Sequence, residues 1–339
     1  MDLKQEPDKK ILSIDIGGTK IAIAAITMAG KILSRHIVPT MQKGPERGIE
    51  QIVDLIDLMI QKSKLALNKI IGIGIGIPAV LERDTDFIIW GPNLKGWRNV
   101  DLRGQLEKHF NLPVCLEYDG HAAVMGEWWM GAAKQYRHIV NIIIGTGVGG
   151  GMVLDGTLIQ GINRLAGAAG WFILDRQNGF DSFGEKSLGN LESRIAGPGI
   201  SRSAKQLLDS QQEIKTILTT EKLSAKDIFE AAKLGDPLAQ RITSEEAELL
   251  GMGIANIVSL VNPEIIVLGG NIGSNSAFLL PKIRSIVTQY AQPISGRSVK
   301  IVTSKLGVDA GLLGAAYGLI LRQINLQNKK GGLNISVKS

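Results

Sequence analysis

Asp15-Ile16-Gly17-Gly18-Thr19-Lys20 closes the short apolar run Lys10–Ile16 and opens a second one, Ile21–Met28, which stops at the turn around Gly30. The pattern predicts a strand, a glycine turn and a second strand. A carboxylate at a strand end beside two glycines lets backbone N–H groups approach a phosphate with no Cβ in the way. Asp15 can then hold Mg2+ through water, and Thr19 and Lys20 can meet phosphate oxygens. Taken alone, an Asp-x-Gly-Gly turn is also an ordinary β-turn.

The device returns in Gly145-Thr146-Gly147-Val148-Gly149-Gly150-Gly151, between the apolar run His138–Ile144 and a strand expected around Met152–Leu154. No Gly-Lys-Ser/Thr follows these glycines, which excludes a P-loop. A strand and not a helix comes next, which excludes a dinucleotide fingerprint. Two such turns, one from each half of the chain, can clasp a triphosphate, and the arrangement left is the actin-like one of two β-hairpins.

Working outward, Pro45–Ala66 carries apolar residues at helical spacing, and Ile70–Ile77 alternates isoleucine with glycine as a strand. A second cycle follows, with a helix through Ala122–Met130 before the second glycine cluster. Ser193–Leu260 is helical in pattern, Pro263–Leu268 is a buried strand ending at Gly269-Gly270, and Asn328–Ser339 is a polar end expected to fray. A chain of 339 residues exceeds what one core usually organises, so two lobes with a cleft between them are expected. Residues 1–121 form the small lobe, with a helix over about 311–327 packing back on it, and residues 122–310 the large one.

The 44% hydrophobic content and 41 glycines suit a glycine-punctuated α/β protein better than a disordered or fibrous one. The net charge of +6 comes from scattered lysines, with Lys329-Lys330 the nearest approach to a basic block, so no nucleic-acid partner is expected. The lone cysteine, Cys115, excludes an intramolecular disulfide and any cysteine-rich metal site and suits a reducing cytoplasm. The N-terminus has no apolar signal core, and no stretch reaches the roughly 18 apolar residues of a membrane span. Self-association into a homo-oligomer is left open.

Eight motifs in order, DIGGTKIA (15–22), GIGIGIPAV (72–80), GPNLKGW (91–97), the Asp119 region, IIIGTGVGGGMVLDG (142–156), SAKDIFEAAKLGDPLA (224–239), VNPEIIVLGGNI (261–272) and LGVDAGLLGAAYGL (306–319), resemble the ROK family of sugar kinases and sugar-responsive repressors. The resemblance spans about residues 10–322. It implies an α/β protein with two lobes of the ribonuclease H-like, actin-like ATPase fold, binding Mg-ATP between them and transferring the γ-phosphoryl to a sugar hydroxyl. By matching position Asp119 corresponds to the catalytic aspartate, which accepts the proton of the attacking hydroxyl; a cap on a helix beginning at Gly120 is the alternative. Asn93 matches an asparagine that hydrogen-bonds a sugar hydroxyl, or else is a turn residue after Pro92. Gly269 and Gly270 match the nucleotide-side loop and Gly311–Gly314 the helix near it, with packing glycines the alternative. Glu192 matches a glutamate that contacts the sugar.

The chain departs from the family on the acceptor side. Ala166-Gly167-Ala168-Ala169-Gly170-Trp171 stands where the family has Ala-Gly-Glu-Ile-Gly-His, so the glutamate and the histidine are gone. The family's zinc cysteines fall on Phe183, Glu185 and Asn190, and its zinc histidine on Trp171, so no zinc site is expected. The segment is expected to pack by apolar and hydrogen-bond contacts instead. Tyr118 replaces the asparagine that precedes the catalytic aspartate.

These exchanges imply a changed acceptor: a sugar modified at its anomeric end, an amino sugar or a cyclitol, with Tyr118 or Trp171 against its apolar face. Filling core space left by the zinc is the other role for Trp171. The expected function is an ATP-dependent kinase of a sugar or sugar-like ring. The alternatives are a non-catalytic sugar- and ATP-binding homologue and a regulator. Family repressors carry a helix-turn-helix ahead of this region, and only fourteen residues precede Asp15, so a DNA-binding role is not expected.

Overall fold

The computed structural model describes residues 8–174, 189–210, 215–221 and 223–330, with side chains as far as residue 326. The chain opens with β1 (Lys10–Ile16), β2 (Lys20–Thr27) and β3 (Ile32–Pro39), then α1 (Pro45–Lys62) and β4 (Ile70–Ile77). Three short strands, β5 (Val80–Leu81), β6 (Ile88–Trp90) and β7 (Arg98–Val100), form a small sheet of their own. After them come α2 (Leu102–Phe110), β8 (Val114–Tyr118) and α3 (Asp119–Trp129). Strands β9 (Ile139–Ile144), β10 (Val148–Leu154) and β11 (Thr157–Ile159) precede α4 (Asn190–Ile195), α5 (Gly197–Asp209), α6 (Ala225–Lys233) and α7 (Pro237–Val261). The order ends with β12 (Ile265–Gly269), α8 (Gly270–Gly273), α9 (Leu280–Tyr290), α10 (Pro293–Ser298), β13 (Lys300–Thr303) and α11 (Ala310–Lys330).

The two large sheets share one plan. The first runs β3-β2-β1-β4-β8 and the second β11-β10-β9-β12-β13, so in each the first strand lies centrally and the next two build outward on one side. In the first, β1 is antiparallel to β2 and parallel to β4, and β8 continues parallel beside β4. The alternation of β4 follows from its two faces. Ile73, Ile75 and Ile77 join Leu12, Ile14 and Ile16 in one core with Ile52, Ile56 and Met59 of α1. Each such side chain contributes about 1.5–3 kcal/mol of burial.

The opposite face carries Ser13, Asp15 and the β4 glycines, and it receives α11. Ser13 Oγ donates to the Leu312 carbonyl at 2.5 Å, and a Cβ on Gly74 would run into the Ala315 carbonyl. Edge strand β3 instead alternates half-buried and exposed residues, as a one-sided strand does.

The chain divides into two compact units, one comprising Met1–Gln135, Gly151–Ala166 and Val308–Ser339, the other Tyr136–Gly150 and Gly167–Gly307. The division differs from a break after residue 121. Helix α3 stays with the first unit because it is pressed on α11, where Cβ atoms on Gly126 and Gly314 would strike the Ala310 and Ala122 carbonyls. Helix α11 also continues to Lys330, three residues into the stretch expected to fray from 328; the rest of that stretch lies outside the described residues. In the second unit the core is built from β9, β12 and the inward face of α7, including Leu238, Ile242, Leu250, Ile254 and Val258. Among the described residues no helix is long and apolar enough to cross a membrane.

Candidate functional site

In the first unit the predicted residues gather at the carboxyl ends of β1, β4 and β8. Asp15 pairs with Gly76 in register, Gly76 with Glu117 and Ile77 with Tyr118, so Asp15 and Asp119 both stand at this edge. Carboxyl ends of parallel strands are where α/β proteins place ligands. Asp15 is half-buried, and a Cβ on Gly311 would lie within 2.8 Å of its carboxylate, so that glycine leaves it room. Gly311 therefore serves Asp15 and Gly314 serves the α3 contact, which places both in the first unit as packing glycines. Burial, and then the charge of Asp119, push the Asp15 carboxyl up from 3.8 to about 7, while Lys20 opposes them. The two carboxylates are thus near enough to disfavour joint ionisation.

Asp119 is the first residue of α3, one position earlier than the helix start expected at Gly120. Tyr118 holds the N-cap position without a side-chain capping bond. The Asp119 Oδ1 accepts the Gly120 N–H at 2.8 Å, and the helix N-terminus favours a negative charge there. Two residues on, His121 is fully buried, its Nε2 3.0 Å from the Ala166 carbonyl and its Nδ1 without a partner. Burial holds its pKa down to about 4, which favours the neutral ring, and Nε2 carries the proton and donates to the Ala166 carbonyl. Tyr118 meets it edge-on at 5.2 Å.

The Gly17-Gly18 turn is closed by the Gly17 N–H donating to Lys20 O at 2.9 Å and by Thr40 Oγ1 donating to Gly17 O at 2.6 Å. A Cβ on Gly18 would meet Asn93 O at 3.0 Å, so the glycine lets the Asn93 loop lie close against the turn. Gln42, which sequence reasoning missed, ties the two together. Its Nε2 donates to Gly18 O at 2.5 Å and to Asn93 O at 3.2 Å, and its Oε1 accepts the Lys95 N–H at 2.9 Å.

In the second unit the turn itself is confined to Gly145–Gly147, with the Gly145 N–H donating to Gly147 O at 2.9 Å. Strand β10 already begins at Val148, four residues before the strand expected at Met152. The later glycines belong to the strand: a Cβ on Gly150 would lie 2.6 Å from the Asn141 carbonyl. By contrast, none of the described residues lies within 4 Å of where a Gly145 Cβ would be.

Glu192 sits under this turn, its Oε2 accepting the Val148 N–H at 2.7 Å and lying 2.8 Å from where a Gly147 Cβ would be. Burial raises its pKa. Gly270 has φ +75°, and a Cβ there would run into the Ile144 carbonyl, so it is required by backbone geometry and packing at the head of α8. Gly269 packs on Asn141, whose buried amide has neither Oδ1 nor Nδ2 paired.

Trp171 is 59% exposed, so it does not fill core space. Asn190, at one position aligned with a zinc cysteine, uses Oδ1 to accept the Leu174 N–H at 3.1 Å; Phe183 and Glu185 lie outside the described residues. A cluster absent from the sequence reading lies behind Asp119: Asp86, Glu117, Arg164 and Arg322, brought together from positions as far as 236 residues apart.

Residues 11–322 match the model of the ROK family. A glucokinase of Halalkalibacterium halodurans is 34% identical over 95% of this chain and 98% of its own length. The structure of a ROK family glucokinase from Streptomyces griseus, in complex with glucose and AMPPNP, matches with TM-score 0.78 and 28% identity over 91% of this chain and 98% of that one. A ROK family transcriptional regulator, a homologue of the E. coli MLC protein, matches with TM-score 0.83 and 26% identity over 94% and 81%. The fold is the two-lobed actin-like ATPase fold. The chain belongs to the ROK family and falls with its sugar-kinase branch.

Proposed function

We propose that the protein is an ATP-dependent carbohydrate kinase that transfers the γ-phosphoryl group of Mg-ATP to a hydroxyl of a sugar or sugar-like ring. The observation that carries this reading is the electrostatic pairing of Asp15 with Asp119 at the carboxyl edge of the first sheet. In the transfer, the acceptor hydroxyl oxygen bonds to the γ-phosphorus and its proton passes to Asp119. The bond from that phosphorus to the β–γ bridging oxygen breaks, and ADP leaves.

A carboxylate whose ionised form is disfavoured by burial and by a like charge fits a divalent cation, which would relieve both, so Asp15 is the residue that would hold Mg2+ through water. Bound there, the ion neutralises charge on the phosphate oxygens. Gly17, Gly18, Thr19 and Lys20 are assigned to the phosphates, as are Gly145, Thr146 and Gly147. Gly269 and Gly270 serve the adenosine side. Asn93 and Asp119 take acceptor hydroxyls, and Tyr118 and the exposed Trp171 offer apolar faces. Glu192 acts on the acceptor side while it shapes the Gly145–Gly147 turn. With Ala168 and Trp171 in place of glutamate and histidine, the acceptor is a cyclitol or amino sugar in preference to glucose.

ADP release in a coupled assay across hexoses, amino sugars and cyclitols tests this. Asp119→Asn should lower turnover by about 10²–10⁴-fold, the usual share of a general base, with ATP binding retained. Tight ATP binding with no turnover on any acceptor would overturn the kinase reading. It would favour the second one, a non-catalytic ligand-binding ROK protein, which the likeness to the transcriptional regulator supports.

A further inference from the structure

Arg164 is an arginine where the backbone asks for glycine. Its φ is +55°, in the left-handed region, and its side chain is 4% exposed. A strained backbone and a buried guanidinium both cost free energy, so the contacts they permit must offset that cost. Nη1 donates to Asp86 Oδ1 at 2.6 Å, and Nη2 donates to the Leu116 carbonyl at 2.8 Å and to Glu117 Oε2 at 3.2 Å. Asp86, itself at φ +61° and 1% exposed, also accepts from Arg322 and lies 3.7 Å from Arg103 Nη1.

The sequence positions of these partners matter more than their number. Leu116 and Glu117 are on β8, immediately before Tyr118 and Asp119. Residues 160–166 are fastened to the same place twice more: Gln160 Nε2 donates to Glu117 Oε2 at 3.3 Å, and the Ala166 carbonyl lies 3.0 Å from His121 Nε2. Three ties thus join one loop to the last turn of backbone before the catalytic base and the first turn after it. Arg164 is the central one, since its planar fork alone reaches a strand carbonyl and two carboxylates at once.

We infer that Arg164 is a positioning residue: it fastens residues 160–166 to β8 and thereby fixes the place of Asp119 at the head of α3. The role in transfer rests on the kinase reading; the placement of Asp119 does not. Lysine keeps the charge but lacks the fork, and glycine relieves the backbone while removing every tie. Arg164→Lys and Arg164→Gly are therefore complementary, and thermal melts confirm that each is folded before it is compared.

Amide hydrogen exchange on the full chain reads placement directly. In Arg164→Gly, peptides covering 114–121 and 157–166 should exchange about tenfold faster, a loss of about 1.4 kcal/mol of local protection, while α1 stays as in wild type. Turnover reads the consequence: Arg164→Lys should lower kcat by about 10²-fold, as a small misplacement of a reacting group does, with the KM for ATP unchanged. Unchanged protection of 114–121 in folded Arg164→Gly would overturn the inference, as would wild-type kcat in folded Arg164→Lys. A wild type without turnover on any acceptor would sink the kinase reading alone, and the exchange measurement would still decide the placement.

Discussion

Asp15 makes the clearest quantitative case, because its burden shows in stability as well as in catalysis. Raising its carboxyl pKa from 3.8 to about 7 makes the folded state hold a proton that the unfolded chain releases between those values. The favourable contribution is therefore complete below about pH 4 and is lost as pH rises through about 7, leaving the ionised folded protein penalised. At about 1.36 kcal/mol per tenfold in proton affinity, the full penalty is roughly 4 kcal/mol; Asp15 is only half-buried, and solvent screening brings the expected value to about 2 kcal/mol. Asp15→Asn has the same shape and no charge to bury. Urea denaturation of both proteins without nucleotide, at pH 4.5 and pH 8, should show the variant gaining about 1.5 kcal/mol more at pH 8 than at pH 4.5, since part of the penalty is already present at the lower value. Asp119→Asn should recover part of that gain, since it removes the like charge, and the double variant should gain less than the sum. A gain equal at both pH values, or a loss at pH 8, would refute the electrostatic pairing on which the site reading stands.

Three further outcomes follow from particular contacts. Gly314→Ala drives a Cβ into the Ala122 carbonyl between two helices that cannot separate without exposing the β1–β4 face, so urea denaturation should show a loss on the order of 3 kcal/mol or more. Asp236 caps α7 through the Ala239 N–H at 2.9 Å and also holds the Ile217 N–H at 2.6 Å, so Asp236→Ala should cost about 1–2 kcal/mol at neutral pH. Because these bonds lower the Asp236 pKa, that difference should shrink as pH falls through the acid range. Glu192→Gln keeps an acceptor for the Val148 N–H and should leave the KM for ATP near wild type, whereas Glu192→Ala frees the Gly145–Gly147 turn and should raise it about tenfold, one net hydrogen bond.

What the sequence made legible follows from the distance over which each feature is determined. Strands β1 and β4 read correctly because their apolar runs are local and end at glycines, and the isoleucine–glycine alternation of β4 already implied a face too crowded for side chains. The second glycine cluster was misjudged for the complementary reason. Gly150 is small because Asn141, nine positions back, presents a carbonyl to it, so a run of glycines that looked like one long turn is a short turn followed by strand. The exposure of Trp171 was illegible too, since an indole reads as core material until its surroundings are known. Least legible was the anchor behind Asp119. Asp86 and Arg164 lie 78 positions apart, both at left-handed backbone angles, which arginine disfavours, and neither belongs to a motif. Such residues are chosen by the partner that the fold delivers to them, and a left-handed arginine persists only when that partner is always present. In this chain Asp119 can be singled out because it stands in a motif, whereas the residues fastened around it do not.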